Sequence, residues 1–181
     1  MNQKQNYLLM AEYNSWMNEK IYSICKQIPH EKLHQNLRAF FLSIIGTLNH
    51  ILIADIIWLK RFSDHPKNYS SLDYIRSIKK PHSLNQIIYD RIEDLTLERE
   101  KIDQIIKDFI LEITEEDLEN SFSFNNMKGE HFNKKFSYII LHFFNHQTHH
   151  RGQVSTLLSQ LNLELGITDL LVLIPSFDLT S

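Results

Sequence analysis

Hydrophobic side chains recur at spacings of three and four along most of the chain, which is the pattern of amphipathic α-helices. It predicts four long helices, over about residues 5–27, 37–63, 83–113 and 135–161. The second of these segments is apolar on nearly every side. Because a helix of that kind is normally surrounded by protein, we expect it to be central.

Two features of the pattern define the connection between the second and third helices. Residues 64–82 are polar and contain Pro66 and Pro81, so they predict a long crossover with a short helical turn around 72–78. Such a loop is unusually long for a compact bundle and is expected to cover something. Ser83 and Gln86 then have the spacing of a capping box, which predicts that the third helix begins there.

The periodicity changes between the third and fourth helices. Phe122 and Phe124 alternate with polar residues, and the stretch NNMKGE supplies Asn and Gly for a turn. This pattern predicts a small β-hairpin. The elements together predict an all-α fold, an up-down four-helix bundle with a long crossover between helices 2 and 3 and a hairpin before helix 4.

Composition restricts the class of protein. A chain of 181 residues with 43% hydrophobic side chains can bury one sizeable core, so a single domain over residues 1–181 is expected. The 19 Lys and Arg against 22 Asp and Glu give a net charge of -3, which argues against a nucleic-acid partner and an anionic membrane surface.

Several features favour the cytoplasm. Cys25 is the single cysteine, which fits a reducing compartment, and the N-terminus does not resemble a signal peptide. The most apolar run, residues 40–59, has the length of a membrane span but carries Asn49, His50 and Asp55, so we interpret it as a buried helix. The apolar tail 167–181 is expected to pack on the bundle or on a second subunit.

Histidines are concentrated in the last helix, where four of the ten lie between residues 142 and 150. A residue advances about 100° around a helix, which puts His146 and His150 on or beside the apolar stripe and leaves His142 and His149 outside it. A spacing of four lets two imidazoles reach one metal ion. The alternative is a partly buried polar seam with two hydrogen-bonded histidines.

His50 is a second inward histidine, in the middle of the most apolar helix. A buried imidazole needs a partner, which can be a carbonyl or hydroxyl group as well as a metal. Two separate segments nevertheless carry inward histidines, and a bundle can bring them together. His50, His146 and His150 would then form a three-imidazole site with an open fourth position, as in catalytic metal sites.

A carboxylate is the alternative third ligand, and Asp55 is the candidate. It lies about 140° around the helix from His50, so both side chains can hardly reach one ion. We therefore place Asp55 in the supporting shell or at a helix contact. Asn145, Gln147 and Gln153 are further candidates for supporting residues.

With these motifs in place, the chain resembles the DinB/YfiT-like family over nearly its whole length. The resemblance rests on the hairpin and on Tyr13 to Tyr22, Gly46 to Phe62, Ile140 to Gln153 and Thr168 to Leu171. It implies a divalent metal held by one histidine of the second helix and two of the last, which correspond to His50, His146 and His150. The family is named for induction by DNA damage, which implies no contact with DNA.

The resemblance also implies candidate activities. Some relatives transfer low-molecular-weight thiols such as bacillithiol, related folds isomerise mycothiol adducts, and others are described as metal-dependent hydrolases. Dimers are common among them, so a homodimer is expected here.

Two mechanisms suit such a site. Zn²⁺ or Ni²⁺ can present a small external thiol as thiolate to a small-molecule substrate, or it can lower the pKa of bound water to about 7 for hydrolysis. The inward face of the last helix offers no Asp or Glu as a general base, which favours thiol chemistry. A non-enzymatic, metal-stabilised binding protein and histidines without an ion remain as alternatives. An enzyme should have a solvent-accessible pocket at the metal, bounded by Trp58 or Tyr13 and the 64–82 loop.

Overall fold

Long helices dominate the computed structural model, which describes residues 2–176 of the chain. The described residues form seven α-helices and two β-strands: α1 Gln3–Cys25, α2 His30–Leu33, α3 Ile44–Phe62, α4 Asp73–Ser77, α5 Ile92–Glu112, α6 Glu115–Glu119, β1 Ser121–Asn125, β2 His131–Lys135 and α7 Phe136–Gln160. Short 3₁₀ turns at Ser70–Leu72 and Leu170–Leu173 complete the order. The fold is therefore mostly helical with one small antiparallel sheet.

The four longest helices, α1, α3, α5 and α7, share one hydrophobic core. Helix α1 contacts α5 and α7, and α3 also contacts α5 and α7. Within α3, every residue except Trp58, Lys60 and Arg61 is buried, as its all-round apolar pattern predicts. The up-down order of a four-helix bundle stays a prediction.

The predicted hairpin is confirmed. Strands β1 and β2 pair antiparallel, with Ser121 opposite Lys135 and Asn125 opposite His131. The turn uses Gly129 at a φ of 83°, in the left-handed region that glycine adopts most readily. Phe122 is buried on the core side of β1, which attaches the hairpin to the helices.

Two predicted helix starts are wrong. Helix α3 begins at Ile44, with Ser43 as its cap, because residues 37–43 form a tight loop in which Arg38 and Leu42 have φ values of 58° and 66°. Helix α5 begins at Ile92 instead of residue 83.

The predicted capping box at the second of these starts is half formed. The Gln86 side chain accepts hydrogen bonds from the backbone N–H groups of His82 and Ser83, but no helix follows. The buried amide of Asn49 instead binds the backbone of Ile88 and Tyr89 and holds the 83–90 segment against α3 in an irregular conformation. A tertiary contact therefore overrides the local helix signal.

The long connection between α3 and the 83–90 segment contains the predicted helical turn, found as α4. The first part of the connection packs on the hairpin side of the core, where the ring of His65 stacks on Phe122 and Phe136. The backbone and hydroxyl groups of Ser70 and Ser71 donate to the carboxylate of Glu112 on α5. These contacts attach the connection to the hairpin side of the core and to the last residue of α5.

A buried polar network joins all four long helices. Asp55 of α3 accepts a 2.5 Å hydrogen bond from Arg99 of α5, and Arg99 also pairs with Asp103 at 2.9 Å. Two asparagines of α1, Asn14 and Asn18, donate to Asp103, and Arg151 of α7 donates to Asn14. Opposite charges therefore offset one another inside the core, which limits the cost of burying them.

The apolar tail contacts the bundle at its start. The hydroxyl of Tyr13 donates to the carbonyl oxygen of Thr168 at 2.8 Å, and Leu163 and Leu165, which precede the tail, pack against the core. Leu171 and Val172 remain exposed. Residues 177–181, the end of the predicted tail, lie outside the described part of the chain.

Across residues 2–176, no helix combines the length and the apolar character needed to cross a bilayer.

Candidate metal centre

Three imidazoles from two helices meet at one point. One ring nitrogen from each of His50, His146 and His150, here called the histidine triad, lies within 4.8 Å of the others. The Nε2 atoms of His50 and His150 are 3.2 Å apart. The ring of His146 lies 4.4 Å from that of His150 and 5.3 Å from that of His50, measured between centroids. The packing of α3 on α7 therefore joins side chains 100 residues apart.

The outer ring nitrogens of two triad members are already hydrogen-bonded. The Nδ1 atom of His50 lies 2.9 Å from the carbonyl oxygen of Leu84, and the Nδ1 atom of His150 lies 2.8 Å from the side-chain oxygen of Gln153. Both partners are acceptors, so each Nδ1 carries the proton of a neutral ring. Each Nε2 therefore presents a lone pair to the other.

Burial keeps the triad neutral. It lowers the pKa of His50 to about 4 and that of His146 to about 3, with smaller contributions from the neighbouring imidazoles, and it lowers the pKa of His150 as well. At pH 7 the three rings are therefore free bases, the form in which histidine binds metal ions.

The geometry fits a shared metal ion. Two facing lone pairs repel each other unless a cation or proton lies between them. Two nitrogen ligands of one tetrahedral Zn²⁺, each at about 2.0–2.1 Å from the ion, are about 3.3 Å apart, close to the separation of His50 and His150. Leu84 and Gln153 provide the outer hydrogen bonds that usually orient metal-binding imidazoles.

A phenylalanine covers one side of the triad. The ring of Phe41 stacks on His50 with centroids 3.8 Å apart and meets His150 edge-on at 5.7 Å. The 37–43 loop and the 83–90 segment, which supplies the Leu84 carbonyl, therefore border the site. The 64–82 connection, expected to form one wall, packs on the hairpin side instead.

The proposed supporting residues have different positions. Gln153 bridges two histidines, because its amide oxygen contacts His150 and its amide nitrogen lies 3.3 Å from Nε2 of His149. Asp55 lies at the contact of α3 with α5, where it pairs with Arg99. Asn145 is exposed to solvent. Gln147 is fully buried beside the polar network.

An apolar hollow lies one helical turn from the triad. It has a volume of about 510 Å³ and is lined by Trp58, Arg61, Phe124, Asn126, Phe132, Lys134, Lys135, Tyr138, Ile139 and His142. His142 meets Trp58 edge-on at 5.2 Å and lies 6.2 Å from the ring of His146. Trp58 lines this hollow, but no triad residue and no residue of the 64–82 connection does, so it is not the pocket at the metal that was expected. Tyr13 packs beside Trp16 and the tail.

Sequence reasoning missed three groups at or behind the site. Phe41 and the carbonyl of Leu84 act from irregular segments, and no local pattern identifies them. Arg99 could have been found, because it continues the apolar stripe of Leu95 and Ile102 at spacings of four and three. A charged side chain in that stripe indicates a buried ion pair.

Comparison with known protein families identifies the class of protein to which this fold and this site belong. A model of the DinB family matches residues 1–176, so the chain belongs to the DinB family. The resemblance noted in the sequence motifs is thereby confirmed.

A curated relative supports the same assignment. The chain is 28% identical to Protein DinB of Bacillus subtilis (strain 168) over 161 residues, and the alignment covers 88% of each protein. The similarity extends through both helices that carry the triad.

Proposed function

We propose that the protein binds one divalent metal ion through His50, His146 and His150 and uses it to transfer a small external thiol to an electrophilic substrate. The thiol loses its proton, its sulfur forms a bond to the electrophilic carbon, and a leaving group such as halide departs with the electrons of the bond that breaks. One observation carries the proposal: the Nε2 atoms of His50 and His150 face each other at 3.2 Å while both Nδ1 atoms are bound to acceptors. Three protein ligands leave a coordination position for a further molecule, as in catalytic zinc sites.

The metal ion would supply the chemistry, and the surrounding residues would position its ligands. When bound, a divalent ion supplies Lewis acidity, which favours the thiolate form of a small thiol or, in the alternative of a hydrolase, activates water. Leu84 and Gln153 hold two of the imidazoles in the binding orientation. Phe41 excludes water from one side of the triad. We assign zinc or nickel as the ion, because both accept imidazole ligands.

The thiol in this proposal comes from outside the protein. Cys25 is completely buried in α1, and burial raises the pKa of its thiol to about 12. A thiol in that environment stays protonated and is a poor nucleophile. The hollow beside His142 offers space for the organic part of a substrate, and Arg61, Lys134 and Lys135 in its lining favour a negatively charged one.

The surroundings of the triad favour thiol transfer over hydrolysis. The hydrogen-bonding and ring contacts of the three histidines, among residues 2–176, come from Phe41, Leu84, Gln153 and other histidines, none of which is a carboxylate. Asp55, the acidic residue of α3 that could act as a general base, already forms an ion pair with Arg99. A hydrolase would need another group to act as general base.

Metal content is the first test. Untagged wild-type protein, His146→Ala and the control His142→Ala are purified under the same conditions and compared by elemental analysis. His142 lies one turn before His146 on α7 but is not in the triad. We expect the metal to be lost from His146→Ala and kept by His142→Ala. Equal metal content in wild type and His146→Ala would rule out the proposed metal site.

Turnover is the second test, with the metal found in the first. Each protein is assayed for transfer of low-molecular-weight thiols to an aromatic halide and, separately, for cleavage of an activated ester. Thiol transfer by wild type that is lost in His146→Ala supports the proposal. Ester cleavage without thiol transfer favours the hydrolase. A metal that raises the melting temperature without supporting either reaction indicates a structural ion joining α3 to α7.

A further inference from the structure

A second group of side chains of the types that bind metal ions lies on the surface, on elements that carry no residue of the triad. One ligand atom from each of His30, His34 and Asp90 lies within 4.8 Å of the others. The Nε2 atom of His30 is 3.7 Å from Oδ2 of Asp90, and the Nε2 atom of His34 is 3.5 Å from Oδ1. Each histidine therefore faces a different oxygen of the same carboxylate.

Local structure explains the arrangement. Helix α2 is a single turn that begins after Pro29, and its spacing of four puts the rings of His30 and His34 on one side, with centroids 4.3 Å apart. Asp90 ends the 83–90 segment, two residues before α5 begins. The group thus joins two parts of the chain that are distant in sequence.

The separations suit a shared cation better than direct hydrogen bonds. A nitrogen and an oxygen 3.5–3.7 Å apart are too distant for a good hydrogen bond. Two ligands at about 2.0–2.1 Å from one ion, with angles between tetrahedral and trigonal, lie about 3.3–3.6 Å apart. The Nε2 atom of His34 also lies 3.1 Å from the backbone oxygen of Asp90. A bound ion would replace that contact.

We propose that His30, His34 and Asp90 form a second, surface-exposed binding site for a divalent transition-metal ion. Two imidazoles and one carboxylate suit Zn²⁺, Cu²⁺ or Ni²⁺ and not Mg²⁺ or Ca²⁺, which prefer oxygen ligands. The site shares no residue with the triad, so the proposal does not rest on the proposed function.

Occupation of this site has a structural consequence. The 83–90 segment is held against α3 by the side chain of Asn49, and it supplies the Leu84 carbonyl that orients His50. An ion at Asp90 fastens the end of the same segment to α2. Because the ion binds only the folded arrangement, it is expected to raise the melting temperature.

Zn²⁺ titration of metal-free, untagged protein tests the proposal. Isothermal titration calorimetry compares wild type with His34→Ala and Asp90→Asn, two surface substitutions that leave the core unchanged. The control is His82→Ala, which removes an exposed histidine immediately before the 83–90 segment. We expect two bound ions in wild type and His82→Ala and one in each of the other two variants.

The outcome separates this site from the triad. His34→Ala or Asp90→Asn binding as many ions as wild type would overturn the second site, whatever the triad does. A His146→Ala variant, checked for folding by circular dichroism, should keep one ion and its Zn²⁺-dependent rise in melting temperature. Loss of both ions from that variant would also contradict the proposal.

Discussion

The backbone carbonyl oxygen of Phe41 occupies the space that a Cβ atom on Gly46 would need. Gly46 lies in the first turn of α3, where its N–H donates to Ser43 at 3.1 Å, and His50 follows one turn later. This close approach lets the 37–43 loop fold back and lay the ring of Phe41 on His50. A glycine one turn away from the triad therefore shapes its cover.

Gly46→Ala is expected to lower the free energy of unfolding by about 1–3 kcal/mol, because the new Cβ forces the backbone of Phe41 to move. The control is Gly152→Ala, in the middle of α7, where a Cβ has no neighbouring atom within 4 Å. That change should raise stability by about 0.5–1 kcal/mol, since alanine favours helix. Urea unfolding measures both; a Gly46→Ala protein as stable as wild type would refute the close contact.

Gln153→Ala is expected to lower the metal affinity of the triad by about 10- to 100-fold, because His150 loses the acceptor that orients its ring. The matched control is Gln160→Ala, an exposed glutamine near the end of the same helix. Zn²⁺ affinity is measured by competition with a chromogenic chelator. If both variants bind as tightly as wild type, Gln153 does not support the site.

Arg99→Met is expected to lower the free energy of unfolding by about 3–5 kcal/mol, because it removes the guanidinium that pairs with two buried carboxylates, those of Asp55 and Asp103. Burial already raises the pKa of Asp55 and Asp103, and the guanidinium of Arg99 opposes this rise.

The control for Arg99→Met is Glu93→Gln. This change breaks an exposed ion pair, the one between Glu93 and Arg91, and should leave the free energy of unfolding unchanged. Chemical unfolding at pH 7 compares the two variants. Similar stabilities for Arg99→Met and wild type would show that the buried ion pair makes no net contribution to the free energy of unfolding.

Asp117 is expected to make stability depend on pH. Burial acts to raise its pKa, but hydrogen bonds from Lys67 and Thr114 outweigh burial and lower it to about 2. The ordinary value is about 3.9 in an unfolded chain. A depressed pKa stabilises the fold above the unfolded value, and the stabilisation is lost as pH falls from about 4 to about 2.

The test compares Asp117→Asn with wild type by urea unfolding across this range. The variant should be less stable by about 2 kcal/mol at pH 7, and the difference should shrink below pH 4. Glu116→Gln, on the exposed side of α6, serves as the control. A difference between Asp117→Asn and wild type that stays constant down to pH 2 would contradict the assignment.

Several elements could be predicted because their signals are local. The periodicity of α1 and α7, the alternation around Phe122 and the turn before Gly129 each depend on neighbouring residues. The pairing of His146 with His150 follows from helix geometry alone, because four residues make about one turn. His50 could be selected because an imidazole in an apolar helix needs a partner.

Other features depend on the path of the whole chain. The capping signal at Ser83 failed because Asn49, distant in sequence, binds the backbone that a helix would have used. Asp55 lies beside Arg99 because α3 packs on α5, and neither residue identifies the other in the sequence.

The sequence alone therefore determined the periodic elements and the faces on which their histidines lie, since both are set by interactions within a few residues. Tertiary structure decided how close His50 comes to His150, and which groups surround them. Phe41 and the Leu84 carbonyl reach the site from irregular segments, where side-chain packing and buried hydrogen bonds, and not periodicity, set the conformation.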